Sequence, residues 1–417
     1  MSARLAYLTS LYPAASHTFI LREVAGLRAL GLTVDTCSVR RPAAQHLIGA
    51  PERAAEASTF YVIEAGRRPA TMLAALGAAL GRPGALLKTL GLAWRTAPPG
   101  LRGGLKQIAY LAEAMVLSRH LRANGTTHLH NHFADVSANV AMLTSALSDI
   151  PFSYTLHGPA ELYEPRSWAL AEKTHRARFV ACISHFARSQ AMYFSDPADW
   201  DRLHIIHCGV QPGLYAPDAD RDDTDGAVEA VFVGRLTAIK GLRVLLDALR
   251  AARAQNPQLR LTIIGDGEDR AELQAMAADM GDAVRFTGYL SQAEIAAALK
   301  RADMMVLPSF AEGLPVVLME SLAAECPVIA SRVAGVAELV EDGVSGFLVH
   351  AGDTEQLTER MLKLAGDRDL RRRMGRAGRA RVQVDFDAEV EAARLASLFL
   401  RPDGAPIRPA PINAGDV

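Results

Sequence analysis

Short apolar runs alternate with longer stretches whose apolar residues recur every three or four positions along nearly the whole chain. The first pattern predicts buried strands and the second predicts helices laid over them, which is the texture of parallel sheets covered by helices. In the first half the predicted strands are 4–9, 32–39, 127–131, 152–156, 179–183 and 204–207. In the second half they are 229–233, 260–264, 284–287, 304–307, 328–330 and 347–349. The halves share an architecture without a repeated sequence, which predicts an α/β chain of two domains, 1–208 and 227–385. Between them, 209–226 contains Pro212, Pro217 and a cluster of aspartates, a polar segment that reads as a linker. A helix at 386–401 is suited to packing back on the first domain. The tail 402–417, with four prolines and little apolar periodicity, is expected to be disordered. Open parallel sheets bind ligands beyond the carboxyl ends of their strands, so loops after strands carry the functional reading, and two facing sheets would share one cleft.

Composition narrows the class. With 417 residues, 50% hydrophobic and 22% charged, the chain suits two globular domains and is neither disordered nor collagen-like. The 45 basic and 46 acidic residues give a net charge of −1, so no global field attracts nucleic acid. Cys37, Cys182, Cys208 and Cys326 are scattered with no Cys-x-x-Cys pair, which suggests neither a disulfide framework nor a cysteine zinc site and fits a reducing cytoplasm. The N-terminus enters a short apolar strand without the longer apolar core of a secretory signal, and no apolar run approaches the roughly 20 residues of a membrane span. A soluble or peripheral protein is expected.

Chemistry concentrates after the strands of the second half. Val233-Gly234-Arg235 leaves a strand through a glycine, and Lys240-Gly241 follows just before a helix. Arginine grips phosphate oxygens with its fork and lysine adds a compact mobile charge, so the two suit a diphosphate, including the charge that develops as it leaves. The next loop, Gly265-Asp266-Gly267, lacks the third glycine of a dinucleotide fingerprint, and no P-loop occurs. That loop reads equally as a ligand contact or a tight turn. In Glu312-Gly313-Leu314-Pro315, the proline suits the first helical position and the glycine allows close backbone approach to a phosphate at the helix N-terminus. Glu320 lies inside the helix among Val316, Val317, Ala323 and Ala324, an apolar face on which a carboxylate needs hydrogen-bond donors; sugar hydroxyls, a backbone group or a cation would serve.

Gly234-Arg235 with Lys240-Gly241, followed by Glu312-x7-Glu320, resembles glycosyltransferase family 4, retaining enzymes of the GT-B fold with two facing Rossmann-like domains and a cleft between them. The resemblance covers nearly the whole chain. It implies that Arg235 and Lys240 hold the donor diphosphate beside Gly234, that Glu312 meets the donor hexose and Glu320 the nucleotide ribose, and that Gly313 and Leu314 offer backbone donors. The first half adds Tyr12-Pro13-x-x-Ser16-His17, His130-Asn131-His132-Phe133 and Leu156-His157-Gly158-Pro159, which resemble exopolysaccharide and colanic-acid-type members. The resemblance puts His157 close to the transferred sugar and, with Arg235, Lys240 and Glu312, among the catalytic candidates. Many such relatives carry Glu where His17 stands.

The resemblance implies a metal-independent, cofactor-free transferase that moves a hexose from a UDP- or GDP-sugar to a lipid-linked oligosaccharide in surface polysaccharide synthesis. A sugar-nucleotide-binding protein without turnover and a sugar-nucleotide epimerase are the alternatives. His128, His130 and His132 share one strand face. With no fourth ligand or carboxylate motif beside them, hydrogen-bonding or packing roles are favoured over zinc. From Ala65 to Ala112 the chain carries Arg67, Arg68, Arg82, Lys88, Arg95, Arg102 and Lys106 and no acid, interleaved with Leu, Ala and Trp94. This stretch reads either as a membrane-facing surface on the cytoplasmic side or as a helical flank with solvated cations.

Overall fold

Each predicted run forms a strand: β1 (Arg4–Leu11), β2 (Thr33–Arg40), β3 (Phe60–Tyr61), β4 (His128–His132), β5 (Phe152–Leu156), β6 (Val180–Cys182) and β7 (Leu203–Ile205) in the first half. The second half supplies β8 (Val228–Val233), β9 (Leu259–Ile264), β10 (Val284–Gly288), β11 (Met304–Leu307), β12 (Val328–Ser331) and β13 (Gly346–Val349). Only β3, two residues long, lacks a foreseeable pattern. The computed structural model describes residues 4–14, 17–47, 49–217 and 226–401. Ser16, the segment 218–225 of the predicted linker and the tail 402–417 lie outside the described residues.

The strands form two sheets, β3-β2-β1-β4-β5-β6-β7 and β10-β9-β8-β11-β12-β13. The strand ladders among the described residues are parallel, with an isolated antiparallel bridge between Gly265 and Gly288. Because both faces of such sheets are covered, β5 reads Phe-Ser-Tyr-Thr-Leu with every residue buried. The helix Leu242–Gln255 shows how the faces are closed: Leu242, Leu245, Leu246, Leu249 and Ala252 recur at three- and four-residue spacing and are all buried. In each sheet the strand order reverses at one strand pair, β1/β4 and β8/β11. The loops leaving those strands diverge, which opens a crevice at their carboxyl ends.

The chain divides into two compact units, Met1–His207 with Ala392–Val417, and Cys208–Glu391. The beginning of the predicted linker is built into the second unit: Val210 N–H donates to Phe386 O at 2.9 Å and Ala388 N–H to Val210 O at 2.8 Å. The last helix, Ala388–Leu400, ends in the first unit, where Leu395, Ala396, Leu398 and Phe399 join Leu5, Tyr7, Ile20, Val24 and Leu27 in one buried cluster.

Candidate functional site

In the second unit the loops after β8, β9 and β11 are tied together by backbone. Leu236 N–H donates to Asp266 O at 3.0 Å, and Phe310 N–H to Ile239 O at 2.8 Å. Glycine is required at these crossings: a Cβ on Gly265 would lie 1.9 Å from Gly234 O, and one on Gly241, whose φ is +68°, would lie 2.0 Å from Pro308 O. The two-glycine loop therefore serves close packing of neighbouring loops.

The tie brings Lys240 to Glu312. Their Nζ and Oε1 atoms are 2.6 Å apart, and Ser309 Oγ donates to the same carboxylate oxygen at 2.6 Å. The Glu312 side chain is 8% exposed and that of Lys240 22%, so the pair is mostly buried and the lysine is its more accessible member. Gly313 is half-buried and Leu314 buried, whereas Arg235 is exposed on the same loop as Lys240. Pro315 is the N-cap of the helix Val316–Ala323, one position earlier than the sequence suggests, because its ψ of 115° is extended. Glu320 is 5% exposed and accepts from Gln292 Nε2 at 3.0 Å. The same amide donates to the hydroxyl of the fully buried Tyr215. Ser309, Gln292 and Tyr215 were not singled out by sequence, since none belongs to a charged or glycine-bearing motif.

In the first unit the histidines of β4 do share a face, and the face is a buried hydrogen-bond ladder. Ser153 Oγ lies 2.7 Å from both His128 Nε2 and His130 Nδ1, and Thr155 Oγ1 lies 2.9 Å from His130 Nε2. The register His130↔Ser153 and His132↔Thr155 sets these contacts. His132 Nδ1 meets His157 Nε2 at 3.1 Å, and its Nε2 meets Glu23 Oε1 at 3.2 Å. A carboxylate therefore stands beside this face, supplied by the helix Thr18–Ala29 where the sequence showed none. Ligand atoms of Glu23, His130 and His132 all lie within 4.8 Å of one another, yet both nitrogens of each histidine are engaged in the contacts just given. Burial pushes the His128 imidazole down to about 3 and holds His130 and His157 well below the usual histidine range, so all three are neutral. Phe133 and Phe19 flank the His157 ring at 4.4 and 5.0 Å between centroids.

The loop bearing His157 is clamped to the end of β4. Glu161 accepts from Ala134 N–H at 2.8 Å and from Gly158 N–H, while Lys173 Nζ donates to Ala134 O at 2.6 Å. Burial pushes the Glu161 carboxyl up to about 7 and the Lys173 ammonium down to about 7. Neither residue was foreseen from sequence: Glu161 is the one charged residue of its short helix, and Lys173 reads as one of several solvated charges beside Glu172, His175 and Arg176.

Comparison with known proteins matches residues 18–214 to the family described as Glycosyltransferase Family 4 and residues 221–381 to Glycosyl transferases group 1. A D-inositol 3-phosphate glycosyltransferase of Pseudarthrobacter chlorophenolicus is 31% identical over 296 residues, 64% of this chain and 69% of that one. The chain is a family 4 glycosyltransferase by descent. The amylovoran biosynthesis glycosyltransferase AmsK of Erwinia amylovora is 32% identical over 228 residues, 52% of this chain and 55% of that protein, so this match spans about half of each. The fold agrees with the solved structure of Anabaena Alr3699/HepE in complex with UDP-glucose, at a TM-score of 0.71 and 18% identity over 94% of this chain and 98% of that one.

This family 4 member carries a second feature in its first unit. The helices Pro69–Leu80 and Pro83–Arg95, and the start of Leu101–Ala123, bury small residues such as Ala75, Ala79, Ala93 and Gly103. They turn large apolar ones outward: Leu73, Leu76 and Leu80; Leu87, Leu90 and Trp94; Leu101, Leu105 and Ile108. Each set follows an i, i+3 or i+4, i+7 spacing, so each helix presents an apolar stripe to solvent, the reverse of an ordinary surface helix. Of the seven cations, Arg82 donates to Leu147 O at 2.5 Å and pairs with Asp149, and Arg95 pairs with Glu172 at 3.4 Å. Arg67, Arg68, Lys88, Arg102 and Lys106 are exposed. Among the described residues no single helix is long and apolar enough to cross a membrane, and the first two pass that test only as a pair bent by 104°.

Proposed function

We propose that this glycosyltransferase moves a hexose from a UDP- or GDP-sugar to a lipid-linked oligosaccharide, with retention of anomeric configuration, in surface polysaccharide synthesis at the cytoplasmic face of a membrane. The observation that carries the reading is the Lys240–Glu312 pair, drawn together at the carboxyl ends of β8 and β11. A nucleotide sugar bears its diphosphate and its sugar hydroxyls side by side, so a cation beside a carboxylate matches both parts of one ligand. Arg235 and Lys240 stabilise the charge on the departing diphosphate, a task fixed cations accomplish without a metal. Glu312 accepts from hexose hydroxyls, with Gly313 and Leu314 N–H groups and the Gly234 loop completing the donor seat. Glu320 accepts from the ribose alongside Gln292. By the same family resemblance, His157 of the first unit is the candidate for contact with the transferred sugar. AmsK, whose name assigns it to amylovoran biosynthesis, supports the polysaccharide context.

The test is a thermal-shift panel of UDP-glucose, UDP-galactose, UDP-N-acetylglucosamine and GDP-mannose, followed by product analysis with lipid-linked acceptors. A sugar nucleotide at 100 times its Kd stabilises the fold by about 2.7 kcal/mol. Stabilisation with glycosidic product supports transfer. Stabilisation with rearranged donor and no product would show an epimerase, and no response to any member would remove the reading.

A further inference from the structure

The outward stripes of the first unit belong to a platform of inverted polarity. Every exposed residue of the helix Pro69–Leu80 is Pro, Ala, Leu or Gly. On the helix Leu101–Ala123 the polar Gln107 is 4% exposed and the apolar Leu101 91%. The platform is fastened to the body of the unit. Gln107 Nε2 donates to Thr96 O at 3.0 Å, joining the third helix to the end of the second, and Arg82, at the elbow between the first two, donates to Leu147 O. A Cβ on Gly103 would lie 1.9 Å from Pro98 O, so the connecting loop is held against the third helix.

Cations stand beside the stripes at a regular step. Lys88 follows Leu87, Arg102 follows Leu101 and Lys106 follows Leu105, each one position on and so about 100° round its helix. All three are exposed and form no ion pair among the described residues. A long cationic side chain at that edge keeps its stem in apolar surroundings while its charge stays at a polar boundary. No Asp or Glu occurs between Glu64 and Glu113.

We propose that these three helices lie flat in one leaflet of an anionic phospholipid bilayer, with the stripes in the boundary between headgroups and acyl chains and the flanking cations at the level of the phosphates. This deepens the membrane location proposed above by naming the surface, the charge of the lipid and the mode of attachment. Charge complementarity selects the occupant. A second copy meeting this face would set cations against cations with no acid in the stretch to pair them, whereas an anionic leaflet supplies an apolar layer and negative charge together. Length selects the mode. The first two helices have 12 and 13 residues, about 18 and 20 Å at 1.5 Å per residue, and the pair is bent by 104°, so neither crosses an apolar layer of about 30 Å. The third packs Leu111, Ala114, Leu117 and Leu121 into the unit and leaves only its first turns for lipid.

Trp94, 82% exposed, reports on the insertion. The full chain is titrated with phosphatidylcholine vesicles, with or without phosphatidylglycerol, whose acyl chains carry bromine either near the headgroup or near the terminal methyl. Anionic vesicles should shift the tryptophan emission to the blue, and bromine near the headgroup should quench it at least about twofold more than bromine at the chain end. Trp94→Phe should still bind the vesicles but lose both responses. Lys88→Glu, Arg102→Glu and Lys106→Glu together should weaken vesicle binding at least about tenfold without moving the thermal midpoint, since all three positions are exposed. Wild type that stays off anionic vesicles, stronger quenching from the chain end, an unchanged response in Trp94→Phe, or undiminished binding of the charge-reversed variant would each overturn the proposal. A lipid-free dimer in sedimentation equilibrium that Trp94→Gln dissociates would give the face to a second copy instead. No sugar nucleotide enters these measurements, so the donor panel can fail while the platform stands, and the reverse.

Discussion

Removing the outward apolar stripes should detach the protein from lipid without disturbing its fold. Leu87, Trp94 and Leu101 are 69, 82 and 91% exposed, so replacing all three with Gln costs little packing. Full burial of such a side chain contributes roughly 1.5–3 kcal/mol. Partial insertion into the headgroup boundary should yield about 1 kcal/mol each, so the triple variant loses about 3 kcal/mol, or roughly 150-fold in partition coefficient. Arg67, Arg68, Lys88, Arg102 and Lys106 add about 1 kcal/mol apiece near an anionic surface at low salt. That part fades as the screening length falls from about 10 Å at 0.1 M to about 3 Å at 1 M salt. Arg82 and Arg95 are left in place, because their contacts to Leu147, Asp149 and Glu172 make them structural. Flotation with neutral and anionic vesicles checks both parts. Wild type should float with anionic vesicles at 0.1 M salt, retain part of its binding at 1 M, and lose most of it in the triple variant. Wild type remaining in the soluble fraction, or a triple variant that floats as well, would refute the reasoning.

At the proposed donor site, Lys240→Met should lower turnover at least about tenfold and also the thermal midpoint, since it strands a mostly buried Glu312 carboxylate beside Ser309. Adding Glu312→Gln should recover the midpoint and leave turnover low. Arg235→Ala, at an exposed position, should cut turnover by a similar factor with no change of midpoint. Gln292→Leu should weaken nucleotide affinity more than it slows transfer, measured by calorimetry against single-turnover rates, because the amide it removes holds Glu320. Acid should destabilise the first unit early. The folded state holds the buried His128, His130 and His157 imidazoles below the unfolded value, so the unfolded chain binds more protons and stability falls as pH drops below about 6.5. Each such group contributes about 1.4 kcal/mol per pH unit, so urea titrations from pH 6 to 4 should show a slope shallower by about that amount in a folded His128→Asn variant.

The fold was legible because parallel strands are buried on both faces and announce themselves as uninterrupted apolar runs, as Val231–Val233 and Met304–Leu307 do. Two-residue β3 has no such run to read. The stripes of the 65–112 stretch were legible as cations and apolar residues but not as a surface, because the Leu and Trp spacing is the same whether a helix turns that face to the core or to solvent. The burial of Ala75, Ala79 and Gly103 decides it: small residues let the three helices pack by their backs and leave the large ones outside.

The partners within each site were not legible, for a reason set by topology. A charged motif is read over a few residues, whereas Lys240 and Glu312 meet across 72 positions and Glu23 and His132 across 109. In both sheets the partners sit at or just beyond the strand pair where the order reverses, β8/β11 and β1/β4. Everything between them in sequence is a detour through the outer strands on one side. That detour explains why Glu312 and Lys240 could be assigned separately, one to sugar and one to diphosphate, yet not seen as a pair. It also explains why the face bearing His128, His130 and His132 seemed to lack a carboxylate: Glu23 belongs to the first crossover helix, and only the return of the chain as β4 beside β1 brings it to His132. A sequence reading confined to local motifs finds single groups and misses the partners, charged ones such as Glu23 included, that the same reversal brings to them from the opposite side.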